Sequence, residues 1–116
     1  MPKKIFIAHS MGMCKEAEEW SNKLEHEGHD TYLPCRDTAQ EPGPDFNGAW
    51  ENVILAKNLE GVKWCDEVHV IWDLSSLGTV FDMGSAYALG KPIYVIQLKD
   101  HHWGRFMVNN IGKRIL

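Results

Sequence analysis

This chain predicts a single-domain α/β fold, a three-layer sandwich around a parallel sheet of at least four strands in the order 2-1-3-4, and three observations carry that expectation. Short apolar or β-branched runs alternate with amphipathic helical patterns. Residues 66–92, DEVHVIWDLSSLGTVFDMGSAYALGKP, read as strand, glycine-bearing loop and helix, and residues 93–96 supply the next strand. That order is a βαβ unit, whose crossover is right-handed. Finally, 116 residues at 44% hydrophobic content suit one domain, 1–116, with one core. A chain of that length buries roughly two thirds of its unfolded surface without staples.

Residues 5–8, IFIA, form a nearly continuous apolar strand of the kind buried on both faces of a parallel sheet. His9, Ser10, Met11, Gly12 and Met13 are the loop after it. Residues 16–27 read as an amphipathic helix with Ala17, Trp20, Leu24 and Cys14 on one face, stopped by Gly28. Thr31, Tyr32 and Leu33 make a second short strand. Residues 36–47, RDTAQEPGPDFN, hold Pro42 and Pro44 and no apolar period, so they form a long surface loop of the sort that covers a site. Residues 49–64 return to helical spacing, with Trp50, Val53, Ile54, Leu59 and Val62 on a broad apolar face.

Val68, Val70 and Trp72 then alternate with Glu67, His69 and Ile71 in a strand ending at Asp73. Ser75, Ser76, Leu77 and Gly78 form the break, and a helix opens over residues 79–82 and stops at Gly90, with Pro92 beyond. Residues 101–116 carry only weak helical signals, and no repeat or low-complexity segment occurs.

In a 2-1-3-4 sheet the winding reverses between the first and third strands, the Rossmann/flavodoxin-like arrangement, and ligands bind at that carboxyl edge. The loops at residues 9–13 and 73–78 therefore flank one crevice. Ser10 and Gly12 offer a hydroxyl and a backbone that a phosphate can approach, or else a plain turn and cap. Ser76, Gly78 and Thr79 lie at a helix amino terminus, where free N–H groups and a partial positive charge favour phosphate or carboxylate. Asp82 sits one turn on; Thr79 followed by Asp82 also fits a capping box with no chemistry attached. Asp73 reads either as a group for ribose hydroxyls or as a loop-starting Asx residue. His9 reads as a crevice imidazole able to move a proton, or as a structural histidine. Asp66, at the amino end of its strand, is structural.

Composition excludes several classes. G-x-x-x-x-G-K-[ST] and G-x-G-x-x-G are both absent, so ATP and NAD are not supported and no cofactor is expected. A net charge of −4 without a basic cluster argues against polymeric nucleic acid; a mononucleotide needs no basic surface. No apolar run is long enough to span a bilayer and no signal-peptide core is present, so no membrane partner and a cytoplasmic location are expected. Cys14, Cys35 and Cys65 are odd in number and widely spaced, which predicts ordinary thiols. His101, His102 and Trp103 are adjacent rather than spaced, so no metal is expected.

The stretch SLGTVFDMGSAYALGKPI resembles the signature of the nucleoside 2-deoxyribosyltransferase superfamily, through Gly78, Phe81, Gly84, Ala86, Ala88, Leu89, Gly90, Lys91 and Pro92. Asn58, Gly61, Val62, Cys65 and Asp66 are similar to its lead-in, and residues 4–8 to its first strand. The resemblance covers about two thirds of the chain. It implies cleavage or transfer at a nucleoside or nucleotide N-glycosidic bond, with Asp82 at the position of the family's nucleophilic glutamate, one methylene or roughly 1.5 Å shorter. Ser76 resembles the phosphate-holding serine of the branch that hydrolyses nucleoside 5′-monophosphates. Asn58 stands where transferase relatives often carry an aspartate. Partners implied are a nucleoside or nucleoside 5′-monophosphate and, as in relatives, further copies of the chain, with Trp64, Trp72 and Trp103 as candidate contacts. The alternative from another class is a non-catalytic nucleotide-binding or interaction module with the same fold.

Overall fold

The computed structural model describes residues 2–98 and the backbone of residues 113–114. Strand β1 (Lys4–His9) leads through a 3-10 turn (Met11–Met13) to helix α1 (Cys14–His26) and β2 (Asp30–Tyr32). A short helix α2 (Pro34–Asp37), α3 (Trp50–Trp64), β3 (Glu67–Trp72), α4 (Leu77–Ala88), β4 (Ile93–Leu98) and β5 (Lys113–Arg114) follow. The sheet has five strands in the order β2-β1-β3-β4-β5, every pair parallel. The predicted 2-1-3-4 sheet stands, and the tail adds an edge strand that its weak apolar pattern did not announce. His101, His102 and Trp103 lie outside the described residues.

Two cores make this a three-layer sandwich. On one face Ile5, Ile7 and Ile71 pack with Ala17 and Leu24 of α1 and with Leu33; on the other Phe6, Ala8, Val68, Val70 and Trp72 pack with Val62 of α3 and Met83 and Ala86 of α4. With helices on both faces, β3 is buried at all six positions. The polar residues that alternate along it are thus not a solvated face. Glu67 and His69 are buried as partners: His69 Nε2 donates to Glu67 Oε2 at 2.6 Å, Trp20 Nε1 donates to His69 Nδ1 at 2.9 Å, and Lys3 Nζ reaches Glu67 Oε1 at 2.8 Å. Burial pushes the Glu67 carboxyl upward, yet Lys3 and His69 together hold it below the usual range.

Close packing of α3 depends on Gly61. A Cβ there would meet two Phe6 ring carbons at 2.8 Å, and Phe6 is fully buried and stacked on Tyr32 with centroids 5.4 Å apart. The long loop after α2 is tied down at its start, where Thr38 Oγ1 donates to Asn58 Oδ1 at 2.9 Å and Trp50 Nε1 donates to Ala39 O at 2.8 Å. Asp66 proves structural as expected, accepting Lys4 N at 2.9 Å.

Two expectations need correction. Cys14 and Cys35 are not free thiols but a disulfide with Cα atoms 6.2 Å apart; α1 and the β2–α2 junction converge in space, which sequence spacing does not reveal. Cys65 is a buried thiol, pushed up to about 11 by burial. Trp72, considered as a surface contact, belongs to the core, whereas Trp64 is 39% exposed.

Candidate functional site

The winding reverses between β1 and β3, and their two exit loops touch. Ser10 N donates to Ile71 O at 3.1 Å, and Asp73 N donates to Ser10 Oγ at 3.0 Å. Ser10 is fully buried. A cavity of about 380 Å³ opens here, lined by Gly12, Met13, Asp73, Gln97 and Leu98. A Cβ on Gly12 would stand 3.6 Å from Asp73 Oδ2, so glycine keeps this wall low without being sterically obligatory. The two loops expected to flank one crevice do meet there: Gly12 and Asp73 line the cavity, Ser10 is buried behind it, and Ser76, Gly78, Thr79 and Asp82 are not among its lining residues. Gln97 was missed in the sequence, although a lone polar residue near the carboxyl end of an apolar strand is a usable signal.

The loop after β3 is tightly organised. Asp73 Oδ1 accepts from both Ser75 N at 2.9 Å and Ser75 Oγ at 2.5 Å, the Asx-type turn foreseen for it. Between them Leu74 has φ 72, a left-handed conformation uncommon for a bulky residue. Ser76 then begins α4 as its N-cap, with extended backbone and its hydroxyl accepting Thr79 N at 3.3 Å.

That assignment overturns the capping-box reading of Thr79 and Asp82. Both lie inside the helix, three residues apart and hence on one face. They are 1% and 3% exposed. Thr79 Oγ1 and Asp82 Oδ1 have no hydrogen-bond partner among the described residues. A buried polar atom left unsatisfied costs on the order of 1–3 kcal/mol, and this one helix face carries two. Burial alone raises the Asp82 carboxyl to about 8. Unlike Glu67, it meets no cation among the described residues to offset the desolvation.

His9, foreseen in the crevice, is committed elsewhere. Its Nδ1 donates to Ser10 O at 2.9 Å, and its Nε2 accepts Cys35 N at 3.2 Å. Both nitrogens serve backbone, and burial holds the imidazole below its ordinary value. The structural reading of His9 prevails. Asn58 is buried and takes the Thr38 hydroxyl, so it offers structure rather than an ionisable group. Among the described residues one cluster has metal-ligand character: Cys14, Glu18 and Cys35, with donor atoms within 4.8 Å of one another, both sulfurs being bonded to each other. No helix of the described residues is long and apolar enough to cross a membrane.

Comparison with known proteins agrees with this fold. The family model described as nucleoside 2-deoxyribosyltransferase matches residues 7–114. A solved 2-deoxyribosyltransferase from Bacillus psychrosaccharolyticus superposes with a TM-score of 0.78 at 20% identity, covering 97% of this chain and 85% of that one. The CMP N-glycosidase BcmB of Clostridium botulinum gives 0.63 at 20% identity over 97% and 86%. A conserved protein from Enterococcus faecalis V583 gives 0.66 at 22% identity over 96% and 77%. At such identities the likeness establishes the fold. A sequence search of curated proteins finds no match.

Proposed function

The chain belongs to the nucleoside 2-deoxyribosyltransferase family, and on that footing we propose that it cleaves or transfers at the N-glycosidic bond of a nucleoside or nucleoside 5′-monophosphate. The observation that carries this reading is the pair of unsatisfied buried oxygens, Thr79 Oγ1 and Asp82 Oδ1, on the inward face of α4. In the reaction the ionised Asp82 carboxylate attacks C1′ of the sugar while the bond to the base breaks and its electron pair leaves with the base. The resulting glycosyl ester is resolved by water or by an incoming base, the two-step logic of retaining glycoside chemistry. Thr79 lies one turn before Asp82 and is available to bond a sugar hydroxyl. Ser10, Gly12, Ser76 and Gly78, with the amino terminus of α4, hold a 5′-phosphate or 5′-hydroxyl, and Asp73, which lines the cavity with Gly12, bonds the sugar hydroxyls.

Self-association goes with this reading, since Leu77, Phe81, Tyr87 and Leu89 leave exposed apolar surface on and just beyond α4. Sedimentation velocity distinguishes monomer from oligomer.

A specific observation favours the second reading, a nucleotide-binding module without catalysis. Asn58 stands where relatives often carry an acid and is locked to Thr38, so that position offers no second carboxyl. The discriminating experiment is product analysis with a panel of ribo- and deoxyribonucleosides and their 5′-monophosphates, with and without an acceptor base. Free base or an exchanged nucleoside, lost in Asp82→Asn while ligand binding persists, supports the enzyme. Saturable binding without any product, or equal product from Asp82→Asn, rejects Asp82 as nucleophile.

A further inference from the structure

We propose that Cys14 and Cys35 are a reversible thiol–disulfide pair that controls the order of residues 10–14, one wall of the crevice. The inference rests on reading that wall as part of the ligand site. Cys14 is the first residue of α1, directly after the Met11–Met13 turn, and Cys35 lies in α2. Both are half-buried, so an external thiol can reach the bond, whereas the third cysteine, Cys65, is 1% exposed.

What the bond encloses sets this pair apart from a general staple. From Cys35 the backbone N–H donates to His9 Nε2 at 3.2 Å, and His9 Nδ1 donates to Ser10 O at 2.9 Å. Met13 N also donates to Ser10 O, at 2.9 Å. Cys14 then returns to Cys35 through the disulfide. This closed ring of covalent and hydrogen bonds holds Ser10, Gly12 and Met13, and the last two line the cavity with Asp73. Helix α1 itself does not need the bond, because Ala17 and Leu24 anchor it to Ile5, Ile7 and Leu33. Opening the disulfide therefore loosens the wall and leaves the sandwich standing.

The chemistry is ordinary exchange with a small thiol such as glutathione. A thiolate attacks one sulfur, the S–S bond breaks, and the other sulfur leaves as thiolate and takes a proton. A second thiol then attacks the mixed disulfide, releasing the second protein thiol and the oxidised small disulfide. Reoxidation is the reverse, with a small-molecule disulfide accepting two electrons and two protons.

The test uses the full chain equilibrated in glutathione buffers of graded ratio. Thiol counting and mass report the bond, amide exchange reports residues 10–14, and inorganic phosphate is the ligand probe. Reduction should raise free thiols from one to three, speed exchange at residues 10–14 but not within α1, and weaken phosphate binding at least about fivefold. The Cys14→Ser/Cys35→Ser double variant should behave as the reduced chain in every buffer. Three thiols with unchanged exchange and unchanged phosphate affinity would make the pair a plain staple and overturn the proposal. So would zinc uptake by the reduced chain that Glu18→Gln abolishes, which reassigns the cluster to a metal. If exchange responds but phosphate binds in neither state, the redox control of the wall stands and the ligand reading of that wall fails.

Discussion

Two buried carboxyls, Glu67 at the amino end of the sheet and Asp82 beside its carboxyl end, are 7% and 3% exposed and meet opposite electrostatic fates. Around Glu67 the protein supplies Lys3 and His69, and its carboxyl is held low. Around Asp82 no such partner is found among the described residues, and the carboxyl rises to about 8. Burial is thus met differently at the two groups: Glu67 is paired within the fold, and Asp82 Oδ1 has no partner among the described residues. The difference lies in whether the fold completes the polar group or leaves it open.

The largest effect that can break this comparison is on activity. If Asp82 is the nucleophile, Asp82→Asn should lower base release by at least about a thousandfold, and kcat/KM of the native chain should climb with pH up to about 8, as the carboxylate forms. A flat profile from pH 5 to about 9 in a rate assay would remove that role.

Stability should divide the two carboxyls by sign. Asp82 has a folded value of about 8 against 3.8 ordinarily, so the folded state keeps a proton the unfolded chain loses. Its contribution falls as pH rises between those values. Asp82→Asn should therefore stabilise the chain, on the order of a few kcal/mol, and more at pH 8 than at pH 5. Glu67 runs the other way: its value is lowered, so its contribution is present above 4.5 and lost on acidification. His69, held below 6.5 mainly by burial, adds to that acid loss below 6.5. Glu67→Ala should cost about 2–3 kcal/mol at neutral pH, leaving phosphate affinity intact. Urea unfolding across pH measures both differences.

Gly61→Ala should cost about 1–3 kcal/mol by overpacking Phe6, with the stacked Phe6–Tyr32 pair, rather than the ligand crevice, perturbed. The smallest effect belongs to Ser76→Ala, about 1 kcal/mol of helix-cap loss. Beyond that loss it should weaken nucleoside monophosphates more than nucleosides. Equal weakening in parallel titrations would mean that Ser76 caps and does not read phosphate.

The sheet order was legible because apolar runs, helix stops and the βαβ spacing are local signals, and the crevice followed from topology alone. Asp73 also showed itself through turn chemistry that neighbouring residues dictate, whereas the cap, read at Thr79, falls on Ser76. What stayed hidden depends on contacts between distant segments. His9 was turned to structure by Cys35, 26 residues away. The Cys14–Cys35 bond joins residues 21 apart in sequence. Nothing local in β3 records that Trp20 and Lys3 arrive to pair with His69 and Glu67. Thr79 and Asp82 had the spacing of a cap, and only the true start of α4 at Leu77 shows that they point inward.

Leu74 carries a mechanical consequence. Holding a leucine at φ 72 stores on the order of 1–3 kcal/mol, and the Asp73–Ser75 bonds brace that conformation. The loop leading into α4 is thus held by two side-chain bonds against its own backbone preference, and the start of that helix at Ser76 is built on a segment that the Asp73 carboxylate keeps in shape.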